Sequence, residues 1–194
     1  MNNDFLEYNS WFDEMFRDKL ALRYPTFKIA LNLLYQNKGL NIIETGTVRQ
    51  LDDYGAGYST FVFGEYVKRH GGHITTIDID ENNMDICKMV TKDYWNQIDY
   101  VVEDSLTALT KLKDKIDLLY LDSLDTPIEG DASEAQNHNL KEFKLVEHLL
   151  TDKTIVLLDD NSFENGGKTR LTKQYLKEKG WRLVLNSQQS LWIK

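Results

Sequence analysis

Short apolar segments alternate with amphipathic segments along most of this 194-residue chain, and that alternation constrains the fold most. Strands are predicted at residues 41–44, 73–78, 98–102, 116–121, 154–158, 181–186 and 191–194. Helices are predicted between them at 59–69, 81–94, 105–112 and 134–150, with a last one ending near residue 179. We therefore expect an α/β fold, a doubly wound sheet of seven strands that is mostly parallel. The last two strands are so close in sequence that they predict a hairpin, which makes one strand antiparallel.

The N-terminal segment predicts two further helices. Aromatic side chains recur at three- and four-residue spacings within residues 4–20, as in an amphipathic helix. Pro25 marks the first turn of a second helix, which Gly39 ends. The aromatic stripe fits core packing, or alternatively a lid or a dimer surface. We divide the chain into a helical lid or acceptor segment, 1–40, and an α/β unit, 41–194, within one structural domain.

Composition excludes some classes of partner. The net charge of −8 argues against nucleic acid, because binding to phosphates needs basic surfaces. No apolar run is long enough to span a bilayer, and the first residues lack the layout of a secretion signal. The single cysteine, Cys87, suits a reducing compartment. We expect a cytoplasmic protein that does not bind membranes.

Residues 41–60 read as a nucleotide-binding turn. A short apolar strand is followed at once by Glu44, Thr45 and Gly46, and a glycine-containing loop then leads to Ser59 at the start of a helix. Glycines let the backbone approach a ligand closely, and a helix N-terminus offers free N–H groups. A carboxylate at this point can accept hydrogen bonds from a ribose or an amine.

Acidic residues also follow the other predicted parallel strands. They are Asp78, Asp104, Asp122, Asp159 and Asp160. Ligands of such sheets bind at the carboxyl ends of the strands, near the point where the strand order reverses. Each acid taken alone also fits a solvated loop residue or a helix cap.

From Ile42 to the C-terminus, these motifs resemble the class I S-adenosylmethionine-dependent methyltransferases, which have a Rossmann-like fold. Glu44-Thr45-Gly46 resembles the first motif of that family, and residues 57–60 resemble the G-x-S-T of small O-methyltransferases. Asp78 matches the acid that holds the ribose, and Asp104-Ser105 matches the pair beside the adenine. The resemblance implies S-adenosylmethionine as cofactor, bound by Glu44, Thr45, Gly46, Thr47, Gly57, Tyr58, Ser59, Thr60, Asp78, Asp104, Ser105 and Asp122.

A subgroup of that family, the metal-dependent O-methyltransferases of catechol and macrolide-sugar type, binds Mg²⁺ at the ends of the fourth and fifth strands. Asp122, Asp160 and Asn161 match its pattern, with Asp159 as an alternative. Mg²⁺ prefers oxygen ligands, and it would lower the pKa of an acceptor hydroxyl and orient it. The other interpretation of residues 159–161 is a simple turn, which Asp and Asn favour.

The sequence departs from this pattern in two places. Residues 48–56 form an insertion in the first-motif loop. The lysine that catechol-type enzymes use as general base is missing from residues 123–126, SLDT. Either the metal alone activates the hydroxyl, or another group does. The catalytic candidates are Asp122, Asp125 and His138.

The leading hypothesis is a Mg²⁺-dependent O-methyltransferase for a hydroxyl of a small molecule or sugar. An inactive methyltransferase-like domain is the alternative, kept open by the missing lysine. A nicotinamide-dependent oxidoreductase is disfavoured because Gly46, Gly55 and Gly57 do not have the required G-x-G-x-x-G spacing. A nucleic-acid acceptor is disfavoured because LDSLDT stands where an N-P-P-Y motif would. The acceptor's identity and homodimer formation are left open.

Overall fold

The computed structural model describes residues 3–56 and 58–194. Its α-helices are α1 (Asn3–Phe16), α2 (Tyr24–Asn37), α3 (Ser59–His70), α4 (Glu81–Val90), α5 (Ser105–Leu109), α6 (Ser133–Val146) and α7 (Arg170–Glu178). Its strands are β1 (Asn41–Thr45), β2 (His73–Asp78), β3 (Ile98–Val102), β4 (Ile116–Leu121), β5 (Leu150–Leu158), β6 (Arg182–Asn186) and β7 (Ser190–Ile193).

The seven strands form one sheet in the order β3-β2-β1-β4-β5-β7-β6. Strands β1 to β5 pair with one another in parallel, and β7 lies antiparallel between β5 and β6. The predicted α/β fold with a C-terminal antiparallel strand is therefore confirmed. The strand order reverses between β1 and β4, so the ends of these two strands border the crevice where ligands of such sheets bind.

Successive residues of the central strands face opposite layers of helices. Ile42 of β1 and Tyr120 of β4 belong to the buried cluster formed with the helices on one face, whereas Ile43 and Leu121 belong to the cluster on the other face. This follows from the two-residue period of a strand. Both faces of β1 and β4 are apolar and covered, as in a parallel sheet with helices on each side.

The aromatic stripe of α1 is core. Tyr8, Phe12 and Phe16 are buried in one cluster with Phe27 of α2. The core-packing interpretation of this stripe is thus confirmed, while the division into 1–40 and 41–194 stays a prediction. None of the helices in the described ranges is both long and apolar enough to cross a membrane.

Three predicted helices end earlier than expected, and one of them is α5, which stops at Leu109. Helix α4 stops at Val90, where the Thr91 hydroxyl donates to the carbonyl of Cys87 and a 3₁₀ segment, Lys92–Gln97, follows. Helix α6 stops at Val146, and β5 already begins at Leu150. The apolar residues at these helix ends continue the helical period, so the pattern alone does not show where the backbone changes conformation.

The contact between α3 and Tyr94 gives a test of this packing. A Cβ on Gly64 would lie 1.9 Å from the Tyr94 ring. Although alanine favours a helix by about 1 kcal/mol over glycine, the forced shift of a buried ring costs about 1–3 kcal/mol. We expect Gly64→Ala to lower the melting temperature by a few degrees, measured by circular dichroism. Lys177→Ala on the exposed side of α7 is the control. An unchanged melting temperature of Gly64→Ala would contradict the packing.

Candidate functional site

A cavity of about 370 Å³ opens at the carboxyl ends of β1 to β4. Its lining residues come from the loops that follow these strands and from α6. They are Gly46, Thr47, Arg49, Ile77, Asp78, Ile79, Asp80, Asn83, Asp104, Ser105, Asp122, Ser123, Leu124, Asp125 and His138. The volume and the position at the reversal of strand order are those of a small-molecule site.

Gly46 lets the ends of β1 and β4 come together at the cavity. Its φ is +79°, and its N–H donates to the carbonyl of Ile77 at 2.8 Å. A Cβ at this position would lie 2.4 Å from the carbonyl oxygen of Asp122. Any other residue would therefore both strain the backbone and push the two strand ends apart.

Glu44 lies beneath the N-terminus of α3 and is fully buried. Its Oε2 accepts a hydrogen bond of 2.5 Å from the Thr60 hydroxyl, while Oε1 has no partner among the described residues. Burial raises the pKa of Glu44 to about 7, although hydrogen bonds from neighbouring hydroxyls oppose this. A buried polar atom without a partner fits a position that a donating ligand group or water satisfies.

The end of β2 supplies a carboxylate beside an apolar surface. Asp78 accepts hydrogen bonds from the backbone N–H of Thr47 at 3.2 Å and of Asp80 at 2.8 Å. The next residue, Ile79, lines the cavity and is 73% exposed. A carboxylate next to an open apolar side chain suits a ribose with its base.

His138 lies on the Ser105 side of the cavity. Its Nε2 is 3.0 Å from the Ser105 hydroxyl and 3.4 Å from the buried carboxylate of Glu142, which also accepts from Ser123 at 2.6 Å. The bond to Glu142 raises the pKa of His138. Nearby, Asp104 caps α5 by accepting from the N–H of Thr107 at 3.0 Å.

Asp122, at the end of β4, is paired with a buried lysine. Lys168 Nζ lies 2.6 Å from Asp122 Oδ1 and 3.1 Å from Asp160 Oδ2, and the lysine side chain is only 1% exposed. The Tyr120 hydroxyl oxygen lies 3.1 Å from Asp122 Oδ2, but its single proton points to Asp159. Burial raises the pKa of Asp122 to about 7, and Lys168 opposes the rise.

Asp159, at the end of β5, is buried and has a full set of donors. Arg23 Nε lies 3.1 Å from Oδ1 and 2.8 Å from Oδ2. Gln189 donates to Oδ2 at 2.9 Å, the Tyr120 hydroxyl also donates to it, and the N–H of Asp160 donates to Oδ1 at 2.7 Å. Burial alone would raise the pKa of Asp159, but Arg23 lowers it below its usual value.

The predicted magnesium ligands contact basic and amide groups of the chain. Asn161 Oδ1 accepts from Lys173 and Thr169, and its amide donates to Asn186 at 2.9 Å. In the described ranges, no three His, Cys, Asp or Glu side chains converge so that they could hold a metal ion. The prediction that Asp122, Asp159, Asp160 and Asn161 bind Mg²⁺ is thus not supported, because Lys168 and Arg23 already form ion pairs with the carboxylates.

Sequence reasoning missed three basic residues of this region. Arg23 and Lys168 reach the acids from segments that show no motif, and only the fold brings them there. Arg49, from the insertion at 48–56, lines the cavity and pairs with Asp125 at 2.9 Å. The Asp125 side chain is 71% exposed, so this catalytic candidate lies on the rim of the cavity.

The predicted cofactor residues divide into two groups. Gly46, Thr47, Asp78, Asp104, Ser105 and Asp122 line the cavity. Glu44, Thr45, Tyr58, Ser59 and Thr60 are buried behind it around the start of α3. Gly57 lies outside the described residues. The roles of both groups stay predictions, although six of them share one cavity.

Comparison with known proteins decides the family. A model described as a methyltransferase domain matches residues 53–161, which is more than half of the chain. The chain belongs to this methyltransferase family. It is a class I S-adenosylmethionine-dependent methyltransferase, as the motifs at the strand ends predicted. A search of curated protein sequences found no match.

Solved structures share the fold of this methyltransferase. The S-adenosylhomocysteine-bound Podospora anserina methyltransferase PaMTH1 aligns with a TM-score of 0.63 and 15% identity, over 100% of this chain and 88% of that one. A Geobacter sulfurreducens methyltransferase aligns at 0.61 and 11%, over 100% and 89%. CalS11, a TDP-rhamnose 3′-O-methyltransferase of calicheamicin biosynthesis, aligns at 0.60 and 14%, over 90% and 81%.

The buried Glu44 carboxyl predicts a pH-dependent stability. Because its pKa is raised from 4.5 to about 7 on folding, the folded state binds more protons between these values, and stability falls as pH rises through them. Glu44→Gln removes this pH dependence, which changes the free energy of unfolding by about 2–3 kcal/mol between pH 5 and pH 8. We subtract the melting temperature of wild type from that of the variant, both measured by calorimetry. This difference should be larger at pH 8 than at pH 5. An equal difference at both pH values would contradict the raised pKa.

Asp78 is expected to bind the cofactor ribose. Asp78→Ala should weaken S-adenosylhomocysteine binding about tenfold or more, since a charge-assisted hydrogen bond is worth about 1.5–3 kcal/mol. Isothermal titration calorimetry measures the change. Asp85→Ala, an exposed residue of α4 that pairs with Lys88, is the control. Equal affinities for both variants would place the ribose elsewhere.

Proposed function

We propose that this methyltransferase transfers a methyl group from S-adenosylmethionine to a hydroxyl oxygen of a small molecule or sugar. The supporting observation is the position of Asp122. Its carboxylate lines the same cavity as Gly46, Asp78 and Ser105, the residues predicted to bind the donor. A base and a donor site in one cavity are what O-methylation needs.

The chemistry of the transfer explains why the base matters. A lone pair of the acceptor oxygen forms the new bond to the methyl carbon while the carbon–sulfur bond breaks, and sulfur keeps that electron pair. The acceptor hydroxyl must also lose its proton, and Asp122 would take it. Lys168 fixes the carboxylate for this role through a contact of 2.6 Å with Oδ1.

Asp122 fits this role better than the other two catalytic candidates. Asp125 is solvent-exposed and paired with Arg49, so its charge is screened on the rim. His138 lies beside Ser105, among the residues predicted to contact the adenine. Because Lys168 and Arg23 hold the strand-end acids, the proposed mechanism contains no metal-dependent step.

A small acceptor fits the composition and the pocket. The net charge of −8 disfavours nucleic acid as a partner, and the single Cys87 is buried and free, which suits a reducing cytoplasm. CalS11 acts on a sugar hydroxyl by its printed description, which is one reaction of the proposed class, but its 14% identity carries the fold alone. An inactive domain is not favoured, since the cavity combines the predicted donor residues with a carboxylate.

The proposal is tested by Asp122→Asn. With a panel of hydroxyl acceptors, we expect wild-type protein to form S-adenosylhomocysteine and the variant to lose about 100-fold or more in kcat, as for the loss of a general base. The dissociation constant of S-adenosylhomocysteine, measured by calorimetry, should stay within a few fold. Full activity of the variant, or transfer only to nitrogen acceptors, would overturn the proposal.

A further inference from the structure

The buried ammonium of Lys168 occupies the space between the carboxylates of two strand ends. Its Nζ is at hydrogen-bond distance from Asp122 after β4 and from Asp160 after β5, at 2.6 and 3.1 Å. The side chain is 1% exposed, so solvent screens these contacts little. A lysine is almost never buried to this degree unless it is paired.

The chain builds a special turn to place this lysine. Gly167 has a φ of +59°, and a Cβ there would lie 1.7 Å from the carbonyl oxygen of Asp160. Asn165 Oδ1 accepts from the N–H of Gly167 at 3.0 Å, and its amide donates to the carbonyl of Pro127 at 2.9 Å. The lysine loop is thereby joined to the loop that follows Asp122, which fixes the position of the ammonium.

The side-chain oxygens of Asp159 and Asn161 are already engaged by donors of the chain. Asp159 accepts from Arg23, Tyr120, Gln189 and the Asp160 N–H, and Asn161 Oδ1 accepts from Lys173. Mg²⁺ needs oxygen ligands at about 2.1 Å in a near-octahedral arrangement. A divalent ion at Asp122 and Asp160 would have to displace the Lys168 ammonium.

We propose that Lys168 is a built-in cation that takes the place of a divalent metal at Asp122 and Asp160, and acts as a positioning residue for Asp122. The positioning role rests on the function proposed above, whereas the replacement of a metal rests on the geometry alone. The carboxylate of Asp122, which lines the cavity, is held through Oδ1 by the Lys168 ammonium.

Mn²⁺ binding, measured by electron paramagnetic resonance, tests the replacement directly. Wild-type protein should leave the signal of free Mn²⁺ unchanged. Lys168→Met keeps most of the side-chain volume but frees two neighbouring carboxylates. We expect this variant to bind one Mn²⁺ at least about tenfold more tightly than wild type does, and Mg²⁺ should compete for the site. A merely structural lysine would not produce this gain.

Two controls define the site. Lys168→Met combined with Asp160→Asn should lose the gained binding, because one of the two carboxylates is removed. Lys173→Met removes a half-buried lysine that contacts Asn161. Among the described residues no carboxylate lies within hydrogen-bond distance of this lysine, so the variant should not gain Mn²⁺. A folded Lys168→Met protein that gains no Mn²⁺ overturns the proposal.

Mn²⁺ binding by wild-type protein tests whether Lys168 replaces a metal even if Lys168→Met does not fold. Stoichiometric Mn²⁺ binding by wild-type protein that Asp122→Asn abolishes would overturn the proposal, and absence of binding supports it. S-adenosylhomocysteine titration of the same wild-type sample separates this result from the proposed function. A sample that binds the product but methylates no hydroxyl contradicts the O-methyltransferase proposal and leaves the Mn²⁺ result valid.

Discussion

Arg23 and Lys168 form ion pairs with three carboxylates at the ends of β4 and β5, and the geometry of the site depends on these ion pairs. Asp159 is fully buried, and Asp122 and Asp160 are mostly so. Removing one partner of a buried pair costs about 3–5 kcal/mol, because the remaining charge is then buried alone. The five groups must therefore be present together, which ties four distant segments of the chain to one point.

This network also connects the N-terminal helices to the reaction centre. Arg23 precedes α2 directly, and its guanidinium contacts both Asp159 and the carbonyl of Gly55 in the insertion at 48–56. The aromatic side chains of α1 and α2 pack in the same core as the central strands. A segment that borders the site and is anchored in the core is well placed to shape an acceptor pocket.

The cavity itself combines rigid and exposed elements. Its floor is made by strand ends that pack tightly, as the Gly46 contact with Asp122 shows. Its rim carries Ile79, Arg49 and Asp125, which are half-exposed or more. Loops at the rim vary most easily, which would let one fold serve different acceptors.

The sequence by itself determined the fold and the positions of the strand-end acids. Strand and helix periodicity are local, so the alternation predicted seven strands and their mostly parallel arrangement. Parallel strands end at the same edge of the sheet, and six predicted cofactor residues therefore meet in one cavity. It did not determine the partners of those acids. Arg23 lies 136 positions from Asp159, and Lys168 lies 46 positions from Asp122. Only the tertiary structure decided that the carboxylates face two cations of the chain, because such pairing depends on which loops the sheet brings together.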